Sequence, residues 1–130
     1  MTIKARLWAS LLAFSLAGCV AGPELRVPLT AHGSERLDVT WLHAYPHKQG
    51  VLVLGHVKRT TNVVRPIAGH LHVTGFFTDD APPVVVDAQW APLPKRAGRM
   101  AAFAAILTTS RPDRIGRIDV EHRAQQELDD

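Results

Sequence analysis

Six short stretches of this 130-residue chain alternate apolar and polar residues or run β-branched, and Pro- and Gly-bearing turns separate them. Leu37, Val39 and Trp41 alternate with Asp38 and Thr40. Val51, Val53 and Val57 share a face with Gly55, against Leu52, Leu54, His56 and Lys58. Leu71, Val73, Gly75 and Phe77 alternate with His70, His72, Thr74 and Phe76. Val84 to Trp90 opens on three valines, and Ala101 to Leu107 is apolar throughout, with Phe103, Ala105 and Leu107 in phase. Ile118, Val120 and His122 alternate with Arg117, Asp119 and Glu121. A period of two puts one face of each stretch against a core and the other toward water, which is how half-buried strands are written. Turn signals lie between them at Tyr45–Gly50, Asp79–Pro83, Pro92–Gly98 and Ser110–Asp113. Met100, Phe103, Ile106 and Leu107 also sit at helical spacing, but the shortness of that run and its neighbours favour a strand. The expectation is an all-β fold, a small antiparallel sandwich of about six or seven strands. Trp41, Phe77, Trp90 and Phe103 are its expected aromatic anchors. The ten-residue connection Thr60–Gly69 offers Val63, Val64 and Ile67 to cover one end.

The N-terminus is of a different kind. Lys4 and Arg6 precede an apolar stretch from Leu7 to Ala17, with no acid before Glu24. That is the layout of a secretory signal peptide, and the stretch is shorter than the roughly 20 residues of a membrane-spanning helix. Leu16-Ala17-Gly18-Cys19 follows at once and resembles the lipobox of bacterial lipoproteins. The resemblance implies a helical signal peptide over 1–18, cleavage between Gly18 and Cys19, a diacylglycerol on the Cys19 sulfur and an acyl chain on its new amine. Val20 stands where an Asp would mark retention at the inner membrane. The resemblance therefore points to the periplasmic leaflet of the outer membrane, with the lipid anchor in the membrane and a protein of the envelope as partner.

Cys19 is the single cysteine, so no internal disulfide forms, and no Cys/His zinc spacing is present. Removing residues 1–18 takes Lys4 and Arg6 from fifteen basic residues and nothing from twelve acids, so the net charge falls from +3 to +1. A near-neutral, exported domain gives no electrostatic case for nucleic acid. Residues 19–35, broken by Pro23, Pro28 and Gly33, read as lipidated cysteine and tether, of which Leu25–Thr30 can dock as an irregular edge strand. Residues 36–123 form the sandwich domain and 124–130 a polar tail.

Within that domain Val53-Leu54-Gly55-His56-Val57, Pro66 to Val73 and Phe76-Phe77-Thr78-Asp79-Asp80 look like small immunoglobulin-like modules of bacterial envelope lipoproteins, and are similar to the FxLYD module, though its Leu-Tyr is absent. The resemblance implies an immunoglobulin-like fold, and such folds host many functions.

The chemistry on offer is thin. His70 and His72 lie two apart, so a strand sends both to one face. With His56 on a neighbouring strand they would make a three-imidazole site for Zn or Cu, the alternative to a pure binding role. No nucleophile elbow, His-Glu-x-x-His helix or phosphate loop occurs. Asp79 and Asp80 read as a solvated turn rather than a carboxylate pair. His32, Ser34 and Asp38 fall in and beside the tether, without the rigid support catalysis needs. His122 reads as a sheet-rim residue, and His43 as lying where its strand leaves the core. Lys95, Arg96, Arg99, Arg111, Arg114 and Arg117 are spread rather than clustered. The expected function is a non-enzymatic binding or accessory module of the cell envelope with no catalytic residue and no cofactor beyond the lipid on Cys19, working through edge-strand pairing or a loop-end surface.

Overall fold

The structure, a computed structural model, describes residues 22–63 and 65–124. The expected signal peptide and Gly18–Cys19 cleavage site, Cys19, Val64 and the residues from 125 onward lie outside the described residues. Seven strands form two packed sheets: β1 (Leu29–His32), β2 (Leu37–His47), β3 (Gly50–Arg59), β4 (His70–Phe77), β5 (Val84–Ala88), β6 (Met100–Thr108) and β7 (Ile115–Arg123). A single 3-10 turn, Pro112–Arg114, leads into β7. One sheet has the order β1-β7-β4-β5 and the other β2-β3-β6. The sandwich expected from the sequence is what the chain builds.

The connections β3→β4 and β6→β7 both cross between sheets, so β3 lies beside β6 in one layer and β4 beside β7 in the other. Strands B and E over C and F of an immunoglobulin fold are interlocked in this way. The place beside F, which a last strand fills in that fold, is taken here by the first strand. β1 pairs with β7 in parallel, Leu29 against Ile118 through His32 against Glu121, and every other strand pair is antiparallel. Four residues of the stretch read as tether are thus part of a sheet. Leu25, Val27 and Leu29 also pack on the core.

That core follows the alternation. Leu37, Val51, Val53, Val57, Leu71, Val73, Leu107, Ile118 and Val120 are fully buried between the layers. Each contributes about 1.5–3 kcal/mol by leaving water. Phe103 is buried, Phe77 and Trp90 pack partly buried against the same cluster, and Ala101–Leu107 is strand rather than helix. Both seams between the sheets are stitched. The Leu25 amide donates to the Ala44 carbonyl (2.7 Å) beside β2, and Trp90 bridges Phe103 beside β6, with the Ala91 amide on the Ala102 carbonyl (2.9 Å).

Trp41 departs from expectation. Thr40 pairs with His56 and His43 with Leu54, so Trp41 and Leu42 together face the single residue Gly55. This bulge changes the phase of β2: Leu37 and Val39 point inward before it, Ala44 after it. Leu42 takes the inward place and packs on the core, while Trp41, at φ 55°, is turned out with 54% of its surface exposed. Gly55 makes the exchange possible. A Cβ there would stand 2.5 Å from Phe103 Cε1 and 2.9 Å from Leu42 Cδ2. Val63 is likewise exposed rather than tucked under a sheet, because Arg36 and Arg59 hold the loop by the carbonyls of Arg65 and Pro66, past Val63; Ile67 does pack on the core.

Candidate functional site

The two outer faces of the sandwich differ in chemistry. On the four-stranded sheet the outward side chains include Arg117, Asp119, Glu121, His72, Thr74 and Asp87 together with Phe76 and the exposed Val85, a mainly polar face of the kind an antiparallel sheet shows to water. On the three-stranded sheet the register sets Tyr45, Leu52 and Ile106 in one row, then His43, Leu54 and Ala104, then His56 and Ala102. Charge enters only where Asp38 meets Lys58. Ala102 and Ala104 are exposed, and Trp41 and Met100 expose 54% each. At Leu52, Leu54, Met100, Ala102, Ala104 and Ile106 this face departs from the apolar-in, polar-out rule, with Thr40, His43, His56 and the Asp38–Lys58 pair as its polar part. Contiguous exposed apolar surface of this kind marks contact sites.

Trp41 stands on β2, an edge strand of that sheet, and its ring reaches across to the middle strand β3. Its ring stacks on His56 (centroids 4.6 Å, planes 12° apart) and leans on His43 (4.4 Å, 56°), and His43 lies over Tyr45 at 6.5 Å. His43 Nδ1 also meets the carboxylate of Glu24, which ties the incoming chain to the edge of this face. His43 therefore lies mid-strand on the outer face, beyond the bulge, rather than at a strand exit. Beneath the tryptophan, His56 Nδ1 is buried with no hydrogen-bond partner among the described residues. A bulky residue at positive φ is strained by about 1–2 kcal/mol, and strain of this sort gathers at functional positions.

The three histidines singled out by their spacing do not meet. His56 lies under Trp41 on one outer face, while His70 and His72 lie on the other, across the core. Asp87, which the sequence reading passed over, completes the second group. Its Oδ1 is 3.2 Å from His70 Nε2 and 3.0 Å from His72 Nδ1. No family, curated protein or solved structure matches this chain.

At the loop end, Ser34 Oγ donates to His122 Nδ1 (2.7 Å), and His122 Nε2 donates to the Ala68 carbonyl (3.0 Å). His122 is buried, edge-on to Trp90 at 5.6 Å, and so is a core residue rather than a rim residue. Ser34 and His122 line a cleft of about 370 Å³ with Ile67 and Ala68, and the pair has the outline of a nucleophile and its base. The serine oxygen, however, also accepts from the amides of Arg36 and Leu37 at 3.3 Å each. The hydroxyl is thereby saturated with hydrogen bonds, one given and two accepted. This is a staple joining the β1–β2 turn, β7 and the 60–69 loop. Ser34→Ala is expected to cost about 1–3 kcal/mol in a urea titration, because it orphans His122 Nδ1 and two amides. A loss under about 0.5 kcal/mol would show that the staple carries nothing.

The remaining candidates are tied into turns. Asp79 accepts from the Ala81 amide (3.0 Å) and pairs with Arg111, and those two contacts hold its carboxyl below the usual carboxylate range. Arg111 lies 5.2 Å from the Phe77 ring and Arg117 4.1 Å from the Phe76 ring. His32 faces outward beside Glu121, and Asp38 faces Lys58, so neither joins Ser34.

Proposed function

We propose that the chain is a lipid-anchored, non-enzymatic binding module of the bacterial cell envelope, held at the outer membrane by Cys19. It meets a protein partner through the outer face of the three-stranded sheet. The observation that carries this reading is Trp41: a large aromatic residue in a strained backbone region, exposed, and set beside the outward apolar side chains of β3 and β6. Tryptophan is the side chain most enriched where protein contacts concentrate their energy. The face is also better suited than the strand edges, since both seams are already stitched by Leu25 and by Trp90–Ala91. Only two residues, Val20 and Ala21, separate Cys19 from Gly22, a reach of about 10 Å. A lipid on Cys19 would thus hold this face close to the bilayer, which favours a partner that is itself in or on the membrane.

The test is site-specific photocrosslinking in the native envelope. A probe at Ala104, on the three-stranded face, is expected to give a discrete protein adduct. One at Thr74, on the polar face, is expected to give none. Trp41→Gly should abolish the Ala104 adduct while changing stability by no more than about 1 kcal/mol, because relief of the positive φ offsets the lost ring contacts. Equal adducts from both faces, adducts to lipid alone, or a stability loss above about 3 kcal/mol in Trp41→Gly would each count against the reading.

A further inference from the structure

We propose that His70, His72 and Asp87 form a binding site for one Zn²⁺ ion on the outer face of the four-stranded sheet, the side of the sandwich away from Trp41. The site is written into the strand geometry. Residues 70 and 72 are two apart on β4 and share its outward side, and the β4–β5 register sets Asp87 directly across from His72. One donor atom from each of the three side chains lies within 4.8 Å of the other two. Zinc bonded tetrahedrally at 2.0–2.1 Å holds its ligand atoms about 3.3 Å apart. The Asp87 oxygen already stands 3.2 Å from one imidazole nitrogen and 3.0 Å from the other.

The donor chemistry narrows the ion. Two imidazoles and a carboxylate, with no thiolate or thioether, suit Zn²⁺ and exclude a soft-ligand site for Cu⁺. The supports are rigid, since β4 is an inner strand flanked by β7 and β5. The His70 side chain is 8% exposed and His72 19%, so both rings are held by packing. Asp87, at 59%, can turn to meet an ion. The Gln89 side-chain amide fixes the approach to β4 by donating to the Gly69 carbonyl (3.1 Å). Across from His70 stands Arg123, whose Nε lies 3.5 Å from Glu121 Oε2, so a carboxylate partly offsets the nearest cation. Three protein ligands leave the fourth position open on the solvent side, for water or for a group brought by a partner.

Zn²⁺ alone is titrated calorimetrically into the untagged full chain in detergent, and imidazole ¹⁵N spectra are recorded with and without the ion. The expected result is one ion per chain, with ring shifts at His70 and His72 and none at His56 or His122. Asp87→Asn and His72→Gln should each weaken binding by at least about 10–100-fold, the range that even outer-shell changes produce. Asp87 is exposed, so Asp87→Asn should keep the metal-free melting curve of the parent, which separates loss of a ligand from loss of the fold. Absence of stoichiometric binding, binding that survives both substitutions, or shifts centred on His56 overturns the proposal. None of these outcomes depends on the contact surface around Trp41.

Discussion

Cys19→Ala is expected to abolish labelling of the protein by a metabolic acyl probe and, once residues 1–18 are removed, to move it from the membrane pellet to the soluble fraction. The argument is one of chain count. Each buried CH₂ contributes about 0.8 kcal/mol, so a single fatty chain binds a bilayer reversibly whereas a diacylglycerol with a third acyl chain does not let go. Among the described residues no helix is long and apolar enough to cross a membrane, and the apolar face around Trp41 lies on a folded sheet rather than on an inserted segment. The same variant should lose the Ala104 photoadduct if, as proposed, a lipid on Cys19 about 10 Å of chain from Gly22 is what would hold the domain beside a membrane partner. Retention of acyl label and pellet location in Cys19→Ala would end the lipoprotein reading, and with it the placement at the outer membrane.

How much of this was legible in the sequence depended on which interaction set each feature. Period-two patterning determines which residues face the core, and it placed Val51, Val53, Val57, Leu71, Val73, Ile118 and Val120 correctly, because each lies in a stretch clear of the register shifts at Trp41-Leu42 and Gly116. Trp41 was misplaced because a bulge shifts phase by one residue, and Trp41-Leu42 is a pair in which either member could serve as the buried one. What decides between them is Gly55 on the facing strand, a pairing no periodicity reports. Asp87 was within reach. Its partner was not: counting outward from the Asp79–Pro83 turn would face Asp87 with Gly75, whereas the strands pair Gly75 with Val84 and set Asp87 against His72. His56 could not be separated from His70 and His72 by spacing, since which sheet a strand joins is a property of the long connection at 60–69. The Ser34–His122 staple spans 88 positions, and nothing local announces it. The apolar outer side of β6 was legible only as an ambiguity: Ala102, Ala104 and Ile106 made the run resemble a helix because its second face is apolar as well.

Gly50→Ala is expected to be among the most damaging single substitutions in the described domain, costing about 3 kcal/mol or more. The β2–β3 hairpin turns on Lys48 and Gln49, and Gly50 restarts the chain at φ +146°, a conformation L side chains rarely adopt. Space forbids the substitution as firmly as the dihedral. A Cβ at position 50 would stand 2.0 Å from the Leu107 carbonyl oxygen and 2.7 Å from the Thr109 amide, both of them backbone. Backbone cannot rotate aside as a side chain can, so either β6 shifts or the hairpin opens. Both are costly, since Gly50 pairs with Thr108, the Thr109 amide donates to the Gln49 carbonyl (3.0 Å), and Leu107 and Val51 are fully buried beside them. A domain of this size has only about 5–15 kcal/mol of stability in all, and each kcal/mol moves its thermal midpoint by roughly 4–8 °C. The variant should therefore melt at least about 12 °C lower. Lys48→Ala, two positions away on the exposed turn, should stay within about 0.5 kcal/mol of the parent. Equal melting of the two variants would mean that the hairpin does not pass β6 in the register described, and the apolar face that depends on that register would have to be redrawn with it.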